Sequence, residues 1–211
     1  MAIAQRQLKV LISSKQSEFA AERADILRTI QPLPLLAANV AEEWAPESTP
    51  VERTSVREAA ECSIYVGLFG CVYSYPTVLE YQAARANPQR ELLIYVKACP
   101  TRDAELATFV DTITGPNSGH TVVTFTDWSQ VRDRFADHLW SAVGRMIDRL
   151  LRLADPPVPM SIGDRSILVR KWQDEATALQ GLGLPEDREE ARQLARDLKH
   201  ALQEMGVTPT G

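Results

Sequence analysis

Ser63-Ile64-Tyr65-Val66-Gly67-Leu68-Phe69-Gly70 is apolar almost throughout. A strand with one wet face alternates polar and apolar residues, so a run without alternation needs cover on both faces. A parallel sheet with crossover helices on each side supplies that cover, and the flanking sequence fits it. Upstream, Thr49-Pro50-Val51-Glu52 reads as a helix start, with threonine at the cap, proline at the first helical position and glutamate three residues after the cap. That helix is predicted to run to about Cys62. Downstream, a further helix begins near Ser74 or Thr77 and ends by Pro88. The glycines of the run let the backbone come close to something at the strand's carboxyl end.

The same alternation extends in both directions. Leu8-Lys9-Val10-Leu11-Ile12-Ser13 is a short strand closing on two serines, and residues 17–30 show the spacing of a helix with one buried stripe. Residues 33–37 form a second strand, bounded by prolines and therefore placed at a sheet edge. After a loop over 39–48 come the helix and strand already described. Residues 91–96 then read as a strand, 101–113 as a helix, 115–119 as a loop and 121–125 as a fifth strand. From Asp127 to about Leu153, Val131, Phe135, Leu139, Trp140, Val143, Ile147 and Leu150 mark one side of a long helix; Trp128 and Trp140 read as core or interface. Five strands with helices between them predict an α/β, flavodoxin-like layout with strand order 2-1-3-4-5.

Asp155-Pro156-Pro157-Val158-Pro159 marks a change of composition. Two amphipathic helical stretches follow, near 166–179 and 186–205. The chain thus divides into an α/β domain over 1–154 and a helical hairpin over 155–211. About fifty residues of hairpin bury little alone. They are expected to pack on the first domain, on a second copy or on a protein partner, which makes oligomerisation or partner binding their expected role.

Composition bounds the function. The 211 residues carry a net charge of -5 and are 45% hydrophobic, with Lys and Arg scattered rather than blocked, which argues against a polynucleotide groove. The longest apolar run, 64–73, is about half a bilayer-spanning helix, and no leader is apparent, so a cytoplasmic protein without membrane contact is expected. Cys62, Cys71 and Cys99 form no CxxC pair and read as buried small hydrophobes in a reducing compartment. His120, His138 and His200 lack metal-ligand spacing, so no metal site is expected.

In a doubly wound sheet, ligands bind beyond the carboxyl ends of the strands where the strand order reverses. With order 2-1-3-4-5 that crevice lies between strands one and three. Ser13 and Ser14 end strand one; Gly67, Phe69 and Gly70 end strand three, and Tyr73, Thr77 and Glu80 follow. Each residue also has a plainer reading. Thr77-x-x-Glu80 is the spacing of a capping box; the serines suit helix capping; Glu22-Arg23 suits surface or edge ion pairs. Cys71 has no neighbouring histidine to activate it as a nucleophile.

Four of these stretches, taken in order, are similar to the DUF4062 family. They are Leu8-Lys9-Val10-Leu11-Ile12-Ser13-Ser14 with Glu22-Arg23, Thr49-Pro50-Val51-Glu52, the run from Ile64 to Tyr73, and Thr77-Val78-Leu79-Glu80-Tyr81 with Ala84. That family resembles TIR-like and nucleoside deoxyribosyltransferase-like domains, which occur in bacterial conflict and signalling systems. The resemblance implies that Glu80 works on an N-glycosidic bond of NAD or a nucleoside, with NAD as substrate and no redox cofactor. It also implies self-association and a place in prokaryotic, antiviral defence. Ser13, Ser14, Gly67, Phe69, Gly70, Tyr73 and Thr77 are the matching candidates for substrate binding. Ser63 stands where the family has an aspartate, and the loop between Tyr73 and Thr77 is short. These two departures favour an alternative, a non-catalytic module that senses a nucleotide or binds a partner. Nucleoside deoxyribosyl transfer is a third reading with the same glycosidic chemistry.

Overall fold

The computed structural model describes residues 7–41, 50–115, 121–154 and 188–204. Five strands, β1 (Leu8–Ser14), β2 (Leu36–Asn39), β3 (Ile64–Phe69), β4 (Glu91–Lys97) and β5 (Val122–Phe125), form one sheet in the order β2-β1-β3-β4-β5. Every pairing is parallel. Helices α1 (Ala20–Ile30), α2 (Val51–Glu61), α3 (Tyr75–Arg85), α4 (Ala104–Thr114) and α5 (Ser129–Ala154) follow the strands in turn, and α6 (Arg188–Glu204) comes last. This is the α/β, flavodoxin-like arrangement, with a C-terminal helix added.

Alternation along the strands splits the core into two. Val10, Ile12, Val66, Leu68 and Tyr95 point to the face covered by α1 and α5. Leu11, Tyr65, Phe69, Ile94 and Val96 point to the face of α2, α3 and α4. All six residues of β3 are buried, as its unbroken apolar run predicts. β2 is the edge strand expected from its prolines, although it begins at Leu36, because Leu33 is spent in a turn in which its carbonyl accepts the Leu36 N–H at 3.1 Å. α2 starts one residue later than its sequence suggests, with Pro50 at the cap; Thr49 lies outside the described residues.

The last helix answers where its apolar stripe goes. Ala191, Leu194, Ala195, Leu198 and Leu202 are buried against α5 and join the first core. In this stretch of the C-terminal region the apolar face is therefore covered by the chain itself. The loop expected near 115–119 and the helix expected at 166–179 lie almost wholly or wholly outside the described residues.

Two arginine clusters fasten the amino-terminal edge of the sheet. Arg90 is 5% exposed, and its guanidinium donates to the carbonyls of Ala60 (2.5 Å), Cys62 (2.8 Å), Ala83 (3.2 Å) and Ala84 (2.6 Å). These acceptors lie at the carboxyl ends of α2 and α3, where helix carbonyls lack intrahelical partners. Next to it, buried Glu91 is paired with Arg145, at 2.7 Å, and with Arg149, both from α5.

Candidate functional site

β1 feeds α1 and the edge strand β2 on one side, whereas β3 feeds α3 and β4 on the other. The loops leaving their carboxyl ends therefore diverge and leave an opening between them. It is a cleft of about 470 Å³ whose lining includes Ser13, Ser14, Lys15, Arg23, Thr77 and Glu80. That volume lies within the range of small-molecule sites. The register explains the meeting of these groups: Ser13 lies opposite Gly67 and Ser14 opposite Leu68, so both serines sit at the mouth of the sheet.

Glu80 occupies the second turn of α3, and its carboxylate accepts a hydrogen bond from the Ser13 hydroxyl. Ser55, buried on α2, also lines the cleft near Glu80, and its hydroxyl donates to the Glu52 carbonyl at 3.0 Å. Burial pushes the Glu80 carboxyl above its ordinary value; the hydrogen bond from Ser13, the nearby Ser55 hydroxyl and the positive charge of Arg23 pull it back only in part. Beneath the pair, the Tyr65 hydroxyl reaches Ser13 and the Thr77 carbonyl. Burial foremost, then the nearby Glu80 charge, raises the Tyr65 phenol well above its usual range, so it stays protonated.

Two plainer readings of the sequence are replaced by this geometry. Thr77 is not the cap of α3: Ser74 holds that position, and the Thr77 hydroxyl donates to the Ser74 hydroxyl at 2.8 Å. The Thr77-x-x-Glu80 spacing therefore forms no capping box, and Glu80 turns across to β1. Nor does Arg23 lie at the surface, whereas its neighbour Glu22 does form an ion pair, with Lys97 at 3.8 Å. Arg23 is 4% exposed and donates to the Ile12 carbonyl at 2.9 Å and to the Ser14 hydroxyl at 3.2 Å, crossing from α1 to the end of β1.

The cleft thus gathers Ser13, Ser14, Thr77 and Glu80, while the other four candidates lie elsewhere. Gly67 is a packing position: a Cβ there would stand 2.7 Å from the Tyr65 ring and 3.1 Å from the Phe69 ring. The Phe69 ring is committed to the second core, with ring centroids 6.0 Å from Tyr81 and 5.1 Å from Phe109. Gly70 abuts Glu18, whose carboxylate accepts the backbone N–H of Cys71 at 2.6 Å and of Val72 at 3.3 Å. Tyr73 packs partly against the second core, and its N–H donates to Asp103 at 2.8 Å. Sequence reading missed Ser55, Lys15 and Tyr65. The available signal was in α2, whose buried residues are Thr54, Ser55 and Ala59, a polar set for a face turned inward.

The cysteines also depart from expectation. Cys71 and Cys99 form a disulfide, with Cα atoms 5.6 Å apart, and only Cys62 is a free, buried thiol. The sulfurs and the Glu18 carboxylate lie within 4.8 Å of one another, the one group with metal-ligand proximity among the described residues. With the sulfurs bonded to each other it offers no thiolate.

A wider groove, about 680 Å³, lies at the other edge of the sheet, between α5 and β4–β5. Its charged walls are already matched, Arg145 and Arg149 by Glu91, and His138 meets the Tyr95 hydroxyl through Nδ1 at 3.0 Å. The Glu91 carboxylate in its lining is buried and bound by both arginines, so the β1–β3 cleft, with Glu80, is the candidate site. No helix among the described residues is long and apolar enough to cross a membrane. Compared with protein-family models, curated proteins and solved structures, the chain has no match.

Proposed function

We propose that the β1–β3 cleft cleaves the bond between nicotinamide and ribose in NAD, in the manner implied by the resemblance to DUF4062 and TIR-like domains. The observation that carries this reading is the Glu80 carboxylate, half-buried at the switch point and held by the Ser13 hydroxyl. When the C1′–N bond breaks, its electron pair goes to the ring nitrogen and nicotinamide leaves neutral. Positive charge builds on the ribose, where a carboxylate stabilises it or attacks it. Water then adds at C1′ and loses a proton, giving ADP-ribose. Ser13 fixes the carboxylate, and the Lys15 ammonium in the same cleft suits an anionic pyrophosphate. NAD is a substrate here, and no separate cofactor is required.

The test is nicotinamide release from NAD by the purified protein. Glu80→Gln is expected to reduce release by about a hundredfold or more, the usual scale for a group stabilising transition-state charge. Release by the parent protein is expected to fall on acidification as Glu80 protonates, at a pH above the ordinary carboxylate range. Equal release by Glu80→Gln sinks the assignment. The Ser13 hydroxyl, already committed to Glu80, favours a second reading, a nucleotide bound without turnover. Calorimetry with NAD and ADP-ribose separates the two, since tight binding with no released nicotinamide supports the sensor. Base exchange between deoxynucleosides identifies a transferase instead. A homo-oligomer acting as a cytoplasmic defence effector belongs to the same proposal, and turnover that is independent of protein concentration in a strict monomer counts against that part.

A further inference from the structure

We propose that Cys71–Cys99 is a reversible dithiol/disulfide site, exchanging with a dithiol reductant, whose reduction releases the loops that wall the Glu80 cleft. The bond joins the end of β3 to the end of β4, in the loops leading to α3 and α4. Both cysteines are partly exposed, so a thiol reagent can reach the bond, and neither belongs to the two cores. The two cores are thus packed from other residues, whereas the loops at the rim of the cleft are tied by the bond.

The local bonding explains why the rim depends on it. Cys71 donates its N–H to Glu18, which stands on the same loop as Lys15, Gln16 and Ser17 of the cleft wall. The Cys71 carbonyl accepts the Asp103 N–H at 2.9 Å, and Asp103 in turn accepts the Tyr73 N–H. Arg102 bridges the Gly70 and Lys97 carbonyls at 2.8 and 2.5 Å. Residues 70–74, which lead directly into the Ser74 cap of α3, are therefore held by a few exposed or half-buried hydrogen bonds and one covalent bond. Segments held so lightly are the ones that open locally.

Exchange follows ordinary thiol chemistry. A thiolate of the reductant attacks one sulfur, the S–S bond breaks, and the departing sulfur takes up a proton. The reductant's second thiol resolves the mixed disulfide, so two electrons and two protons pass to Cys71 and Cys99 and the reductant leaves as a disulfide. Cys62 does not compete as a nucleophile, because burial foremost pushes its thiol up to about 12.

The experiment uses the whole protein with and without dithiothreitol, and it reads the chain rather than any activity, so its failure is distinct from failure of the NAD reading. Alkylation mass shifts should show Cys71 and Cys99 labelled only after reduction, with Cys62 protected throughout. Hydrogen exchange at the amides of Cys71, Val72 and Tyr73 should quicken about tenfold, the equivalent of one hydrogen bond lost, and slow again on reoxidation with oxidised glutathione. The Cys71→Ser/Cys99→Ser protein should exchange fast under both conditions; if it does not fold, the reduced parent protein carries the comparison. Labelling of both cysteines without reductant overturns the proposal, as does exchange unchanged by reduction. Reduction that occurs only together with labelling of Cys62 also overturns it, because the bond would then be a staple of the whole fold.

Discussion

Arg90 offers the sharpest test of how the site is held from a distance. Its guanidinium closes the carboxyl ends of α2 and α3 by donating to four carbonyls, and those helices carry Ser55 and Glu80 near their middles. Arg90→Met keeps much of the apolar stem and removes every donor. A hydrogen bond to a charged group contributes about 1.5–3 kcal/mol, but one guanidinium serves all four acceptors, and removing it also recovers its desolvation cost. Four bonds therefore do not add. The expected loss is about 3–5 kcal/mol, the scale for removing one partner from a buried charged cluster. That is a large part of a typical domain stability of about 5–15 kcal/mol. Denaturant unfolding followed by circular dichroism measures it, with an unchanged m-value confirming that the same surface unfolds. Arg90→Lys should lose about half as much, since one ammonium spans fewer of the carbonyls. A loss below about 1 kcal/mol for Arg90→Met, the worth of one ordinary hydrogen bond, would falsify the clasp.

Two further outcomes follow from the site. Because the Glu80 carboxyl is raised in the folded chain, its stabilising contribution is present below the unfolded carboxylate range and is lost as pH rises through the folded value. Glu80→Gln should thus gain on the parent between pH 4 and pH 7, on the order of 1 kcal/mol. Thermal melts should show about 2–4 °C for that difference in a chain of this size, and a gap independent of pH rejects the idea. Gly67→Ala forces a methyl toward the Tyr65 and Phe69 rings and should cost about 1–3 kcal/mol by overpacking, read from the shift of the urea midpoint. A neutral Gly67→Ala would mean that the rings move aside freely.

The sheet was legible because its signals are local. The unalternating run of β3 demands two covered faces, and the prolines around β2 confine it to an edge. The position of Glu80 was legible for the same reason, since it follows from chain direction at the switch point. What stayed hidden depends on closure of the fold. Cys71 and Cys99 are 28 residues apart, and only the pairing of β3 with β4 brings their loops together. Arg23 lies on a helix that looks amphipathic in the ordinary way, and its inward turn is fixed by acceptors on β1 that no spacing rule points to. The capping-box spacing at Thr77 misled because a serine three residues earlier takes the cap.

The seat of α6 on α5 has a consequence for the order of events during synthesis. All five strands and α5 have been made by residue 154, yet α6 begins at Arg188, after thirty-three intervening residues. At bacterial to eukaryotic elongation speeds of about 5–20 residues per second, the part of α5 that α6 will cover waits roughly 2–7 s. During that interval the nascent sheet can close while a strip of apolar helix still faces water. Synthesis therefore builds in a delay, set by the length of the 155–187 segment, in which the chain is most open to chaperone capture or to pairing with another unfinished copy.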